Sequence, residues 1–288
     1  MHHNRRDILK IVVAGAVTRL LSAQQRLNDN LTLLDAGGTN LIAFSAPDGL
    51  ILVDSAAPKS NVALSGKVQT LFNTHYHLDQ TGNNEIFGAA GAKIIAHART
   101  REWMSSDYWV PGEERYEKAR PKAARPTETF LTTGSMKAGT EQIDYGYLPL
   151  AHTNGDIYVF FKTSNVLAVG DVASPLRDPA LDYFTGAWIG GRVDAMDILL
   201  ALANDQTKIV PAYGPVMTKA AFKAERDMME EVRARLFKTV REGDGPKDML
   251  EAGVLKDLPR TWKDPDKFLY DAAKGLWAHH DKMDPNVV

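Results

Sequence analysis

The chain contains no cysteine. Disulfides, thiolate-ligated zinc, iron–sulfur clusters and thiol nucleophiles are therefore excluded. The compartment stays open, because exported and cytosolic proteins alike can do without disulfides. No run of about 18 apolar residues occurs, so no segment reads as a membrane-spanning helix. An excess of one charge is also missing. The 34 basic and 36 acidic side chains leave a formal net charge of −2, which gives no bulk field for gripping nucleic acid. The nearest basic stretch, residues 118–125, reads as a solvated face. A Gly-x-x-x-x-Gly-Lys loop is absent, which removes P-loop nucleotide chemistry.

What is present is ordinary globular material. The 288 residues, 44% of them apolar, suffice for a large buried core. Residues 1–23 stand apart. Arg5-Arg6, then Leu9-Lys10, a short apolar stretch over 11–17 and a small-residue end resemble a twin-arginine export signal, with Ile8 where Phe is usual. That reading predicts a periplasmic protein. The competing reading is a docked amphipathic helix in a cytoplasmic protein, since Ile8, Val12, Val13, Ala16, Val17 and Leu20 recur at helical spacing.

From residue 31 short apolar runs alternate with Gly- and Pro-containing turns. The pattern predicts strands over 31–34, 41–44, 50–53, 68–72, 93–96, 142–150, 157–161, 166–169 and 208–210. Helices are expected over 84–88, 100–108, 193–204 and 219–241. Residues 109–129 are rich in charge and proline and read as a long surface excursion bordering a site. The remainder is expected to be helical and polar. This order of elements predicts a layered α/β domain over 31–218 with a C-terminal helical extension over 219–288.

Three strand ends carry the chemistry. Residues 74–83 read Thr-His-Tyr-His-Leu-Asp-Gln-Thr-Gly-Asn directly after a strand. Spacing of two in extended backbone turns His75 and His77 to one side, where two imidazoles suit a metal ion. Asp79 adds a carboxylate. His152 follows a second strand, and Asp171 closes a third in Val169-Gly170-Asp171. Each fragment alone fits a polar loop; the combination is more specific. His97, at the end of a strand, reads as a structural helix cap, and His279 and His280 as surface residues.

With Asp54 closing residues 51–54, then His75/His77/Asp79, His152 and Asp171, in that order, the chain from about 31 to 215 resembles the metallo-β-lactamase superfamily. The resemblance implies an αββα sandwich with the site at one edge between two sheets. His75, His77 and His152 would form a first metal site. Asp79 and Asp171 would contribute to a second, with Asp171 able to bridge. Two departures fall on the second site: Gln80 stands where His is usual, and Pro211-Ala212-Tyr213-Gly214 where a Pro-Gly-His-Gly turn is usual. The expectation is one tightly held zinc ion and a second that is weak or absent.

The implied reaction is hydrolysis of an acyl bond (ester, thioester or lactam) in a small molecule by metal-activated water. Asp79 would act as general base and then proton donor, Asp54 would support a ligand from behind, and Tyr213 would hydrogen-bond an oxyanion. Trp103, Tyr108 and Trp109 either line the mouth or simply pack. Two alternatives remain open. His75, His152 and Asp171 form a 2-His-1-carboxylate set suited to Fe(II), as in superfamily members resembling persulfide dioxygenases. Alternatively, the site has decayed and the protein is non-catalytic.

Overall fold

The computed structural model describes residues 24–60, 62–110 and 114–279. The export-signal reading of residues 1–23, with His2 and His3, and the surface reading of His280 lie outside the described residues.

In chain order the first half forms β1 (Gln24–Arg26), β2 (Leu31–Asp35), β3 (Asn40–Ala46), β4 (Gly49–Val53) and β5 (Val68–Phe72). Next come helices α1 (Leu78–Thr81) and α2 (Asn84–Ala89), β6 (Lys93–His97), α3 (Ala98–Ser105), the small hairpin β7 (Tyr108–Val110) and β8 (Arg115–Glu117), and β9 (Glu128–Phe130). The second half forms β10 (Thr133–Ala138), β11 (Glu141–Tyr147), β12 (Ile157–Phe161), β13 (Val166–Gly170), α4 (Ile189–Leu202), β14 (Lys208–Pro211), α5 (Lys219–Glu242), α6 (Pro246–Glu251) and α7 (Pro265–Ala278).

Two sheets result, ordered β1-β2-β3-β4-β5-β6-β9 and β10-β11-β12-β13-β14. Alternation along each strand decides which residues meet. Leu31, Leu33, Ile42, Phe44, Ile51, Val53 and Phe72 turn inward and pack on Ile143, Ile157, Val159, Phe161, Val166 and Val210 of the second sheet. The opposite faces are apolar as well. Leu41, Leu50, Leu52, Leu71 and Ile94 form a cluster with the partly buried Phe87 of α2. Phe160, Leu167, Val169 and Ile209 pack under α4, α5 and α7. Strands covered on both faces need nearly continuous apolar runs, which is why these segments show little polar alternation. The product is an αββα sandwich, as the resemblance implied.

Several details differ from the sequence expectations. The predicted helix over 100–108 spans Ala98–Ser105 instead, and Tyr108 begins β7. Helix α4 begins at Ile189, four residues before the expected start. Strands β1, β7, β8, β9 and β10 were not anticipated; they are short or carry few apolar residues. The C-terminal segment is not simply polar. Phe268, Leu269, Ala272, Ala273 and Leu276 of α7 are buried in the same cluster as α4 and α5. Among the described residues no helix is long and apolar enough to cross a membrane.

Candidate metal centre

The sequence-predicted residues lie where strands end or in the loops between them, except Asp79, which is in the first turn of α1. Asp54 follows β4, His75, His77 and Asp79 follow β5, His152 sits between β11 and β12, Asp171 follows β13 and Tyr213 follows β14. Parallel pairing of β4 with β5 and of β13 with β14 places such ends side by side.

The loop after β5 is held from beneath. Asn84 Nδ2 donates to Asn73 Oδ1 at 2.8 Å and to the Ala124 carbonyl at 2.9 Å, while Ser55 Oγ donates to Asn84 Oδ1 at 2.8 Å. Asn83 Nδ2 donates to the carbonyls of Ser55 and Ala57 at 2.6 and 2.9 Å. Asp156 secures the His152 turn by accepting the backbone N–H groups of His152 and Thr153 at 2.6 and 2.7 Å. Asn40 Nδ2 donates to the carbonyls of Pro211 and Gly214, both at 2.8 Å, and so fixes the turn that presents Tyr213.

His75, His77 and His152 converge, with one ligand atom from each lying within 4.8 Å of the others. Their outer hydrogen bonds determine where the ring protons sit. Thr74 Oγ1 donates to Asp54 Oδ2 at 2.7 Å, so it accepts from His75 Nδ1 at 3.1 Å. His152 Nδ1 faces the Ala180 carbonyl at 3.0 Å, and His77 Nε2 faces Asp182 Oδ2 at 3.2 Å; both partners accept only. With the rings neutral, as metal ligands must be, the inward atoms are three lone pairs: His75 Nε2, His77 Nδ1 and His152 Nε2. Two of these, His77 Nδ1 and His152 Nε2, lie only 3.0 Å apart. His75 Nε2 is buried without any hydrogen-bond partner. Converging lone pairs, one of them orphaned, fit a bound cation and make poor sense without one.

At His75 the electrostatics agree. Burial and the two neighbouring imidazoles hold His75 well below the usual histidine range, keeping it neutral as a ligand must be. Burial is the largest influence on His77 and pulls it down, but the Asp182 hydrogen bond and charge, together with the Asp79 and Asp171 carboxylates, make the net shift upward. Burial pushes Asp54 up to about 8, against the Thr74 hydrogen bonds that favour its charge.

Asp171 stands on the rim, its Oδ2 at 3.6 Å from His75 Nε2 and 3.7 Å from His152 Nε2. Tyr213 donates its hydroxyl to Asp79 Oδ2. Burial, followed by that bond, raises the phenol far above its ordinary range, so it stays protonated; Arg177, 3.1 Å over the ring, opposes only part of this. Gln80 is fully buried, and neither atom of its side-chain amide has a partner.

Residues 26–260 match the family model described as the metallo-beta-lactamase superfamily. The chain belongs to that superfamily. A metallo-beta-lactamase of Chryseobacterium indologenes, IND-1, is 25% identical over 162 residues, spanning 56% of this chain and 60% of the relative. Among solved structures, a metallo-beta-lactamase from Pontibacter korlensis superposes with a TM-score of 0.58 at 15% identity, covering 73% of this chain and 99% of that one. The stereoselective inverting sec-alkylsulfatase Pisa1 from Pseudomonas sp. gives a TM-score of 0.61 at 12% identity, covering 91% of this chain and 50% of that one. At these identities the two structures show the shared fold. Superfamily membership and the three-histidine cluster together support a metal-dependent hydrolase in general terms.

A cavity of about 620 Å³ opens onto His77, Asp79 and His152. Val110, Arg115, Glu117 and Arg120 form one flank, so the charged excursion does border the site. Tyr108 lines the cavity. Trp103 instead stacks behind Tyr76 at 5.5 Å, and Trp109 is 45% exposed and packs against Tyr116. His97 caps α3, accepting from the Arg99 N–H, and its Nε2 lies 3.1 Å from the Leu131 carbonyl, a structural role. His279, expected at the surface, is instead partly buried against Trp188, its Nε2 2.9 Å from the Gly186 carbonyl. Sequence reasoning missed Asp182, which accepts from Tyr76 as well as from His77. It sits in an irregular loop with no periodicity or motif to mark it.

Proposed function

We propose that this protein is a zinc-dependent hydrolase that cleaves an acyl bond (ester, thioester or lactam) of a small molecule, using one tightly held ion. The observation that carries the reading is the set of three inward lone pairs, with His75 Nε2 buried and unpartnered. His75, His77 and His152 would hold the ion, a ligand set typical of catalytic zinc with an open fourth position. When bound there, zinc polarises a carbonyl and lowers the pKa of water.

The chain's own residues supply the rest. Asp79, half-buried on the cavity wall beside His77 and His152, takes the proton from the attacking water and returns it to the leaving group. Tyr213 holds one oxygen of Asp79 and so fixes the direction of the other. In this arrangement its single O–H is spent on Asp79, so positioning that carboxylate comes before any contact with an oxyanion. Asp171 and Asp79 offer a second cation fewer strong donors than the histidine cluster does, and Gln80 stands in the chain where a histidine is usual, which supports one tight site.

The test is Asp79→Asn. We expect kcat on ester, thioester or lactam substrates to fall by about 10²–10⁴ while the zinc content is retained. Unchanged turnover in a folded, zinc-loaded variant would remove Asp79 from the mechanism.

A further inference from the structure

The cavity beside the metal centre carries five aromatic side chains from separate elements, with charged residues such as Arg115, Glu117, Arg120 and Lys267 also in its lining. Tyr76, at its floor, belongs to the loop after β5, and Tyr108 opens β7. Tyr183 and Phe184 come from the loop between β13 and α4, and Tyr270 comes from α7. Tyr76 is 2% exposed and closes the floor; Tyr108, Tyr183 and Phe184 are half-buried, and Tyr270 is 42% exposed. Their mutual geometry is that of rings positioned by each other. Tyr108 and Phe184 lie with centroids 6.4 Å apart at 28°, and Tyr183 meets Tyr270 edge-on at 6.0 Å. A core places such rings out of reach of solvent. Here Tyr108, Tyr183, Phe184 and Tyr270 remain accessible around a concavity of about 620 Å³ that leads to His77 and Asp79. That volume lies within the range of about 300–1,000 Å³ typical of small-molecule sites.

We propose that this cavity recognises an aromatic ring on the substrate, so that the bond cleaved belongs to an aryl- or arylalkyl-bearing acyl compound. The proposal rests on the hydrolase reading above and adds its substrate class. A ring entering here meets four accessible aromatic rings and adds stacked or edge-on contacts to what it gains by leaving water, whereas a saturated ring of the same size gains only from leaving water. Helix α7 contributes Tyr270, so the C-terminal extension is part of the recognition surface.

The test uses matched pairs on the zinc-loaded full chain. Binding of benzyl alcohol and of cyclohexylmethanol is titrated by ligand-observed NMR, and kcat/KM is measured for ethyl phenylacetate and ethyl cyclohexylacetate. We expect the aromatic member to win by about threefold or more in both assays. Tyr270→Ala should abolish the preference and Tyr270→Phe should keep it. Equal or tighter binding of the cyclohexyl member, or a preference that survives Tyr270→Ala, would overturn the proposal. Aromatic preference in binding with neither ester hydrolysed would support ring recognition and count against the hydrolase reading. Hydrolysis of both esters at equal efficiency would do the reverse.

Discussion

Each imidazole of the centre is held by a hydrogen bond on its far side, and for His77 that partner is the buried carboxylate of Asp182. Asp182→Asn keeps the shape but weakens the acceptor that fixes the His77 ring. Losing such a support costs about 10–100-fold in metal affinity. Competition against a zinc chelator should show a drop of that order; an unchanged affinity would mean that packing alone orients His77. The candidate ligands were readable in the sequence because His75-x-His77 has the two-residue period of extended backbone at a strand end. Asp182 was not, since its role depends on where an aperiodic loop passes, and Tyr213 was visible only as a departure from a turn.

At the scale of the element, β13 delivers Asp171 through Gly170, which has φ = +57°. A Cβ there would sit 2.9 Å from Thr74 Cβ and 3.0 Å from its Oγ1. Thr74 is the link between Asp54 and His75, so crowding it acts on the metal centre as well as on the strand. Gly170→Ala should destabilise the protein by about 1–3 kcal/mol, from left-handed backbone and steric displacement. Denaturant unfolding checks this; a loss below about 0.5 kcal/mol would show that the strand end yields freely. The strands of the sandwich were legible where apolar runs are long, as in β4, β5, β12 and β13. The short β7–β8 hairpin was legible only as a charged excursion, because three-residue strands carry too few side chains to show a period.

Across the whole molecule, the C-terminal helices and the site are one structure. Glu225 of α5 accepts the Ser174 N–H at 2.7 Å and lies 3.9 Å from both Arg192 of α4 and Arg260. Arg260 in turn donates to the carbonyls of Ser174 and Arg177. This buried group ties the helical layer to the loop that carries Arg177 over Tyr213. Glu225→Ala leaves a fully buried guanidinium without its counter-ion and should cost about 3–5 kcal/mol of stability. A change under about 1 kcal/mol in denaturant unfolding would show that Arg192 finds other partners. None of this was visible in the sequence, where Arg192 and Glu225 are two more charges on helices and only packing reveals that both are buried.

Whether His75, His77 and His152 hold one zinc ion for hydrolysis is decided by elemental analysis of protein purified without added metal. About one zinc per chain is the expected result. Iron in its place, two zinc ions per chain, or no metal even after incubation with zinc would contradict it.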